Sequence, residues 1–263
     1  IDETADPMID DGLIVSVGSG LDANGADVLD VSGCVVAPGF IDMHVHLREP
    51  GQEYKETIKS GTEAAAAGGF TGVACMPNTS PVNDHRAVTE LIIERADKEG
   101  AVPVYPIGCV SVGQRGEALT EIGELVDGGC VAVSDDGYPV ATTELMRRAL
   151  EYTRMFDIPV IEHCEDLSLT GTAPMNEGSV STALGFKGHP AAAEDIIVAR
   201  DLVLAELTGG SLHCAHISSA GALRMIRDAK ARGIGVTCEV TPHHFVLTDE
   251  EVRSFDTNTK MNP

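Results

Sequence analysis

From Pro38 onward the chain repeats one texture: a short buried apolar run, a turn, a helix-length amphipathic stretch and a Gly. That alternation is the mark of a parallel sheet covered by helices, because each strand must be carried back to the same edge by a crossover. The pattern predicts strands near 40–46, 71–77, 102–110, 129–135, 158–164, 211–217 and 234–241, and helices near 56–68, 86–99, 119–127, 142–156, 191–208 and 219–232. In helix 191–208, Ile196, Ile197, Ala199, Leu202, Val203 and Leu207 recur at three-to-four spacing, which predicts one face packed on the sheet. The Ser218-Ser219 pair supplies a Ser cap for the next helix. The expected fold class is an α/β, TIM-type (β/α)8 barrel with seven strands present and the eighth missing.

Residues 1–37 have a different texture. The runs at 12–18 and 27–33 read as small antiparallel strands broken by Gly, Asn and Asp, too short a segment to fold alone. The expected division is therefore 1–37, part of a small β-sandwich domain, and 38–263, an incomplete barrel. The expectation is a fragment, since the chain opens mid-pattern at Ile1 and stops at Pro263 without a closing strand.

Composition narrows the partners. With 18 Lys plus Arg against 41 Asp plus Glu, the net charge of −23 opposes any polyanion, which disfavours nucleic acid and anionic membranes. Only six of the basic residues are Lys, a balance that suits solubility in a salt-rich cytosol. The seven Cys are odd in number, form no CxxC pair and sit mostly in apolar runs, as expected in a reducing compartment. There is no N-terminal signal pattern and no apolar run of about 18 residues, so the expected location is cytoplasmic.

Two residues apart on a strand, His44 and His46 project to the same face, at the strand end where barrel enzymes gather metal ligands. Other strand ends repeat the theme. Asp135 and Asp136 follow the fourth strand, His163 ends the fifth, and His213 and His216 lie on the sixth. Alternation puts His216 in register with Leu212 and Cys214 and sends His213 toward the helix layer, so His216 is the expected ligand. Cys164 alternates away from the mouth, the His243-His244 pair reads as structural, and Asp-Asp-Gly also reads as a turn. Four imidazoles and one carboxylate of the Asp135-Asp136 pair would then meet at one mouth. Nitrogen and oxygen donors without thiolate suit zinc or a similar divalent ion. A carboxylate between two imidazole pairs can bridge two ions about 3.5–4 Å apart that activate a shared water, so hydrolysis is the expected chemistry. Arg48 offers a forked guanidinium to a carboxylate, with Asn78 and Asn262 as amides at neighbouring strand ends; each also reads as a turn residue.

Taken in order, Gly39-Phe-Ile-Asp-Met-His-Val-His-Leu-Arg-Glu-Pro-Gly51, Met76-Pro-Asn-Thr79, Ser134-Asp-Asp-Gly137, Glu162-His-Cys-Glu165, His216-Ile-Ser-Ser219 and Lys260-Met-Asn-Pro263 resemble the dihydroorotases. The likeness is to the long microbial type within the cyclic amidohydrolase superfamily. It implies a metal-dependent hydrolase barrel that interconverts L-dihydroorotate and N-carbamoyl-L-aspartate in pyrimidine (UMP) biosynthesis. It also implies one or two Zn2+ ions, with His44 and His46 on the first, His163 and His216 on the second and Asp136 bridging. Arg48, Asn78 and Asn262 would bind substrate. The family's catalytic Asp belongs to an eighth strand, expected beyond Pro263, and the flanking β domain is completed by a C-terminal segment.

Many relatives bridge their metals with a carbamylated Lys on the fourth strand. The run 129–136 contains no Lys, which favours this enzyme over a hydantoinase, and Arg48 and Asn78 discriminate against the alternative of a hydantoinase or allantoinase acting on a related cyclic amide. The other alternative is a non-catalytic dihydroorotase-like scaffold subunit for aspartate transcarbamoylase, against which the retained ligand positions speak. Expected partners are a small-molecule substrate and either a second copy of the chain or aspartate transcarbamoylase, with no nucleic acid and no membrane.

Overall fold

The computed structural model describes residues 3–262; expectations resting on Ile1, Asp2 or Pro263 lie outside the described residues. The chain divides into two compact units, Ile1–Pro38 and Gly39–Pro263.

In the first unit, β1 (Asp6–Asp10) and β2 (Leu13–Gly18) form an antiparallel hairpin. Its two-residue turn, Asp11-Gly12, has φ of 46° and 74°, the positive pair whose twist matches that of the strands it joins. The strand expected at 27–33 is not formed. There the Asp30 carboxylate accepts hydrogen bonds from the Ser32 amide at 2.9 Å and hydroxyl at 2.6 Å, a local turn that competes with ladder pairing. Val28 and Leu29 of this segment are exposed.

The second unit opens with β3 (Phe40–Val45), β4 (Phe70–Cys75), β5 (Val104–Gly108), β6 (Ala132–Ser134) and β7 (Val160–Glu162). A two-residue parallel pair follows, β8 (Met175–Asn176) with β9 (Gly188–His189), and then β10 (Leu212–Cys214) and β11 (Val236–Cys238). Apart from β8 and β9, these strands make one seven-stranded sheet in the order β11-β10-β7-β6-β5-β4-β3, every pair parallel. Each strand therefore lies beside its predecessor, the progressive winding of a barrel. At about 4.8 Å per strand a flat sheet would hold its outer strands roughly 29 Å apart. Yet His44 on β3 and Glu239 just past β11 are 2.7 Å apart, so the sheet curls into an open barrel.

The strands lie where the apolar runs predict, trimmed to the residues that pair. The major helices follow the same pattern: α1 (Ile58–Ala67), α2 (Arg86–Glu99), α3 (Ile122–Asp127) and α4 (Thr143–Thr153). Two short helices, α5 (Leu167–Thr170) and α6 (Ser179–Leu184), come next, followed by α7 (Ala192–Thr208), α8 (Ala220–Ala231) and α9 (Pro242–Val246). Caps fix the starts: Thr57 and Ser60 bond reciprocally at α1, Thr142 caps α4 and Ser219 caps α8. The elements β8, α6 and β9 fall between the strand expected at 158–164 and the helix expected at 191–208, where the periodicity predicts no element.

Two apolar layers result. Ala74, Met76, Ile107, Ala132, Ile161 and Ala215, all from strands or their ends, fill the concave face. Val133, Val160, Leu212 and Val236 pack outward against Val198 and Leu202 of α7 and Ala222 and Ile226 of α8. One face of α7 departs from expectation: Ile196, Val203 and Leu207 are exposed, while Asp201 is fully buried. The helix is turned so that Arg200 pairs with both Asp201 and Glu162 of β7, an ionic contact that apolar periodicity cannot reveal. Among the described residues no helix is long and apolar enough to cross a membrane.

Candidate metal centre

Every expected ligand lies at the C-terminal end of a barrel strand, the end where loops converge. His44 belongs to β3 and His46 follows it by one residue; their rings meet edge-on with centroids 5.4 Å apart. Asp136 follows β6. Its backbone takes a positive φ of 54°, which breaks the strand alternation and turns the carboxylate toward the two imidazoles. Asp136 Oδ1 lies 3.7 Å from His44 Nε2 and 3.8 Å from His46 Nε2, and these three donors all fall within 4.8 Å of one another. Asp135 goes elsewhere: it accepts hydrogen bonds from the Ser111 amide, at 3.0 Å, and from the Ser111 hydroxyl.

The second pair stands beside the first. His216 is stacked obliquely on His44 with centroids 5.5 Å apart, and His163 Nδ1 is 3.1 Å from His216 Nε2. Zinc–nitrogen bonds of about 2.0–2.1 Å at tetrahedral angles place two donors roughly 3.3 Å apart. The His163–His216 spacing fits that figure, and the first trio is slightly wider. Two imidazoles and a carboxylate in one cluster and two facing imidazoles in the next, with no thiolate, therefore form a donor set that suits a borderline divalent ion.

The electrostatics sort these groups. Burial opposes charge on His44, but hydrogen bonds to Asp136 and Glu239 and their negative charges outweigh it and lift its pKa to about 9. His216 goes the other way: burial, with His163 and His44 as neighbours, lowers it to about 3. His46 is also lowered, chiefly by burial, with the nearby Arg48 guanidinium adding to the effect. Burial pushes the Asp136 carboxyl up, yet the hydrogen bond to His44 and the charges of both imidazoles bring it below its ordinary value.

A shell of hydrogen bonds orients the imidazoles. Asn78 Oδ1 is 3.0 Å from His46 Nδ1, which leaves Nε2 facing Asp136. Glu165 Oε2 lies 2.7 Å from His163 Nε2, which leaves Nδ1 facing His216. That contact holds the Glu165 carboxyl at about 2 despite burial. Asn262 Nδ2 donates to the same Glu165 oxygen at 3.2 Å. Arg48 sits in a turn with φ of 62°, half-buried beside His46. Thus Asn78 and Asn262 are held in the ligand shell, and Arg48 stands beside the first pair.

One expectation is corrected. Leu212 and Cys214 pack against α7 and α8, so it is their parity that faces the helix layer, and His213 points inward with Ala215. His213 Nδ1 is 2.7 Å from Thr237 Oγ1, and Nε2 is 3.5 Å from Glu239 Oε2. His216 reaches the mouth because its φ of 34° breaks the alternation. Two acids were also missed. Glu165 stands in a quoted motif without a role, and Glu239 shares inward parity with Thr237, the one signal that could have found it. Cys164 is buried on the helix side, where its thiol pKa is raised, most strongly by Cys214 and then by burial. Thr241 Oγ1 lies 2.9 Å from both His243 Nε2 and His244 Nδ1, in the first turn of α9.

Comparison with known proteins agrees with this geometry. Dihydroorotases of Geobacter metallireducens and Geobacter sulfurreducens are each 60% identical to the chain over 264 aligned positions. The alignments cover 100% of the chain but 62% of each relative, so the chain spans about three-fifths of their length. Among solved structures, an L-hydantoinase (dihydropyrimidinase) from Arthrobacter aurescens superimposes with a TM-score of 0.80 at 20% identity, over 98% of this chain and 59% of that one. A D-hydantoinase gives 0.72 at 25% identity, over 95% and 56%. These neighbours share the barrel. A family model, described as dihydro-orotase-like, matches residues 33–222, well over half of the sequence, and the chain belongs to that family.

Proposed function

We propose that the whole protein is a zinc-dependent dihydroorotase, hydrolysing the ring amide of L-dihydroorotate to N-carbamoyl-L-aspartate and closing it in reverse. The observation that carries this reading is the Asp136 carboxylate set against His44 and His46, just past a strand with no Lys to bridge metals as in hydantoinases. The 60% identity to dihydroorotases supports the same choice.

In this reading His44, His46 and Asp136 would hold one ion, and His163 and His216 would hold a second. A bound ion would supply Lewis-acid polarisation of the scissile carbonyl and a water made nucleophilic near neutral pH. The chain's own residues prepare that chemistry. Asn78 and Glu165 fix the ring orientations of His46 and His163. Burial keeps the His216 nitrogens free of a charging proton. Arg48 binds the substrate carboxylate through a forked, charge-assisted contact, with Asn78 and Asn262 beside the ring. Proton delivery to the leaving ring nitrogen falls to an aspartate of an eighth strand, as the family resemblance implies. Residues 1–37 belong to a small β domain. The protein works in the cytoplasm on a small molecule, with a second copy of itself or aspartate transcarbamoylase as partner.

The test is steady-state turnover by the zinc-loaded, full-length protein of L-dihydroorotate, hydantoin and allantoin. Turnover of dihydroorotate alone is expected. A higher kcat/KM on hydantoin would move the assignment to that class. Arg48→Ala should raise KM for dihydroorotate roughly tenfold or more with kcat largely retained, the loss expected for a charge-assisted hydrogen bond; an unchanged KM counts against the role.

A further inference from the structure

We propose that Glu239 is a positioning residue of the metal centre, fixing His44 in the tautomer that presents Nε2 to the ion and pinning the bend that brings His216 into the mouth. The inference rests on the metal-centre reading and adds a residue to it.

Glu239 stands one residue past β11, at the far edge of the sheet from β3. Its Oε1 lies 2.7 Å from His44 Nδ1 and accepts from the His216 backbone amide at 3.3 Å. An ionised carboxylate can only accept, so Nδ1 must carry the proton in that contact. The nitrogen left to give up its proton to an ion is then Nε2, the one facing Asp136. Glu239 itself lies against Nδ1 rather than Nε2, so it orients the ring and leaves the ligand position to His44. Its main chain does the second task. The Ile217 amide donates to the Glu239 carbonyl at 2.9 Å, next to the strained φ of 34° at His216. One residue therefore ties the first, sixth and seventh strands of the barrel at the floor of the site. His213 Nε2, buried and without a hydrogen bond, lies 3.5 Å from Oε2 and gives the carboxylate a second imidazole to lean on. Carboxylate–histidine–metal relays of this kind fix tautomer and ring angle, and losing the outer partner typically weakens metal binding by about 10–100-fold.

The experiment titrates zinc into the metal-free, full-length protein against a chromophoric chelator. Glu239→Ala should bind zinc about 10–100-fold more weakly. Glu239→Gln, whose carbonyl can accept the same Nδ1 proton, should recover most of that loss. In parallel, a long-range proton–nitrogen NMR spectrum of the zinc-loaded wild type, with His44 assigned from a His44→Gln sample, should place the proton on Nδ1 and the metal on Nε2. This second measurement decides the matter even where Glu239→Ala does not fold. Wild-type affinity in a folded Glu239→Ala, or zinc on His44 Nδ1, overturns the inference and leaves the metal centre standing. A wild type that binds no zinc overturns both.

Discussion

Glu162 and His163 are neighbours on and just past β7, and they face opposite layers of the barrel. On the mouth side, Asp136, Glu165 and Glu239 are all held below their ordinary carboxylate range, because each lies against an imidazole that can share or carry a proton. On the helix side, Glu162 and Asp201 are both raised, by burial above all. Here two buried carboxylates divide one guanidinium. Arg200 Nε bonds Asp201 Oδ1 at 2.7 Å and Nη2 bonds Glu162 Oε1 at 3.2 Å, while Glu162 Oε2 and Asp201 Oδ2 have no hydrogen-bond partner. The mouth stabilises negative charge with many weak bases; the back confines it with one strong cation. Their purposes differ accordingly. The back cluster grips the loop that carries Asp136: Glu162 Oε1 accepts from the Val140 amide at 3.0 Å, and Arg200 Nη1 donates to the Val140 carbonyl at 3.0 Å.

The sharpest way to break this contrast is to remove the single cation. Arg200→Met leaves two buried carboxylates without a counter-charge, and loss of one member of a buried ionic group costs about 3–5 kcal/mol. Denaturant unfolding of the metal-free, full-length protein should register that loss; a change below about 1 kcal/mol would mean that the back cluster is neutral by protonation alone. On the mouth side the deficit should fall on metal instead. Asp136→Ala removes a donor set directly against His44 and His46, so zinc affinity should drop by at least the roughly hundredfold typical of losing an outer-shell partner. Chelator competition measures it, and retention of wild-type affinity would exclude Asp136 as a ligand.

These two clusters were not equally legible in the sequence. His44 and His46 could be paired from their spacing because β3 is regular there, and period two survives. The order of the strands was legible for a similar reason, each amphipathic segment returning the chain to the neighbouring strand. Parity failed where the backbone stops being a strand. The positive φ at Asp136 and His216 re-aims both side chains, so counting along the sixth strand reached His216 through an inverted assignment of His213. Glu239 lacked any spacing partner, since its contacts come from β3 and β10 through the curl of the sheet. The back cluster was hidden by its own composition. Apolar periodicity located α7 correctly but not its rotation, which Arg200 sets by pairing with Asp201 and Glu162.

The smallest effect tests whether burial or pairing governs the back cluster. Burial lifts the Asp201 carboxyl from 3.8 to about 6, against the pull of Arg200. In the unfolded chain the same group releases its proton near 3.8, so between those values the folded state holds more protons than the unfolded one. Stability from this residue is therefore fully present below pH 3.8 and is lost as pH rises through 6. Asp201→Asn keeps a side-chain oxygen for Arg200 Nε but cannot ionise. Near pH 5 it should already lead the wild type, because Asp201 is ionised in the unfolded chain there but mostly protonated in the folded one. By pH 8 that lead should have widened by roughly 1–2 kcal/mol more, since a pKa unit corresponds to about 1.4 kcal/mol. Thermal melts of the metal-free pair at the two pH values read the difference. The groups facing Asp201 are Glu162, Arg200 and Cys164; Glu162, raised by burial and by Asp201, titrates in the same direction, so the widening lead reads the two back carboxylates together. An advantage that is equal at both pH values, or that reverses at pH 8, would mean that the Arg200 pairing outweighs burial and that the back of the strand handles charge as the mouth does.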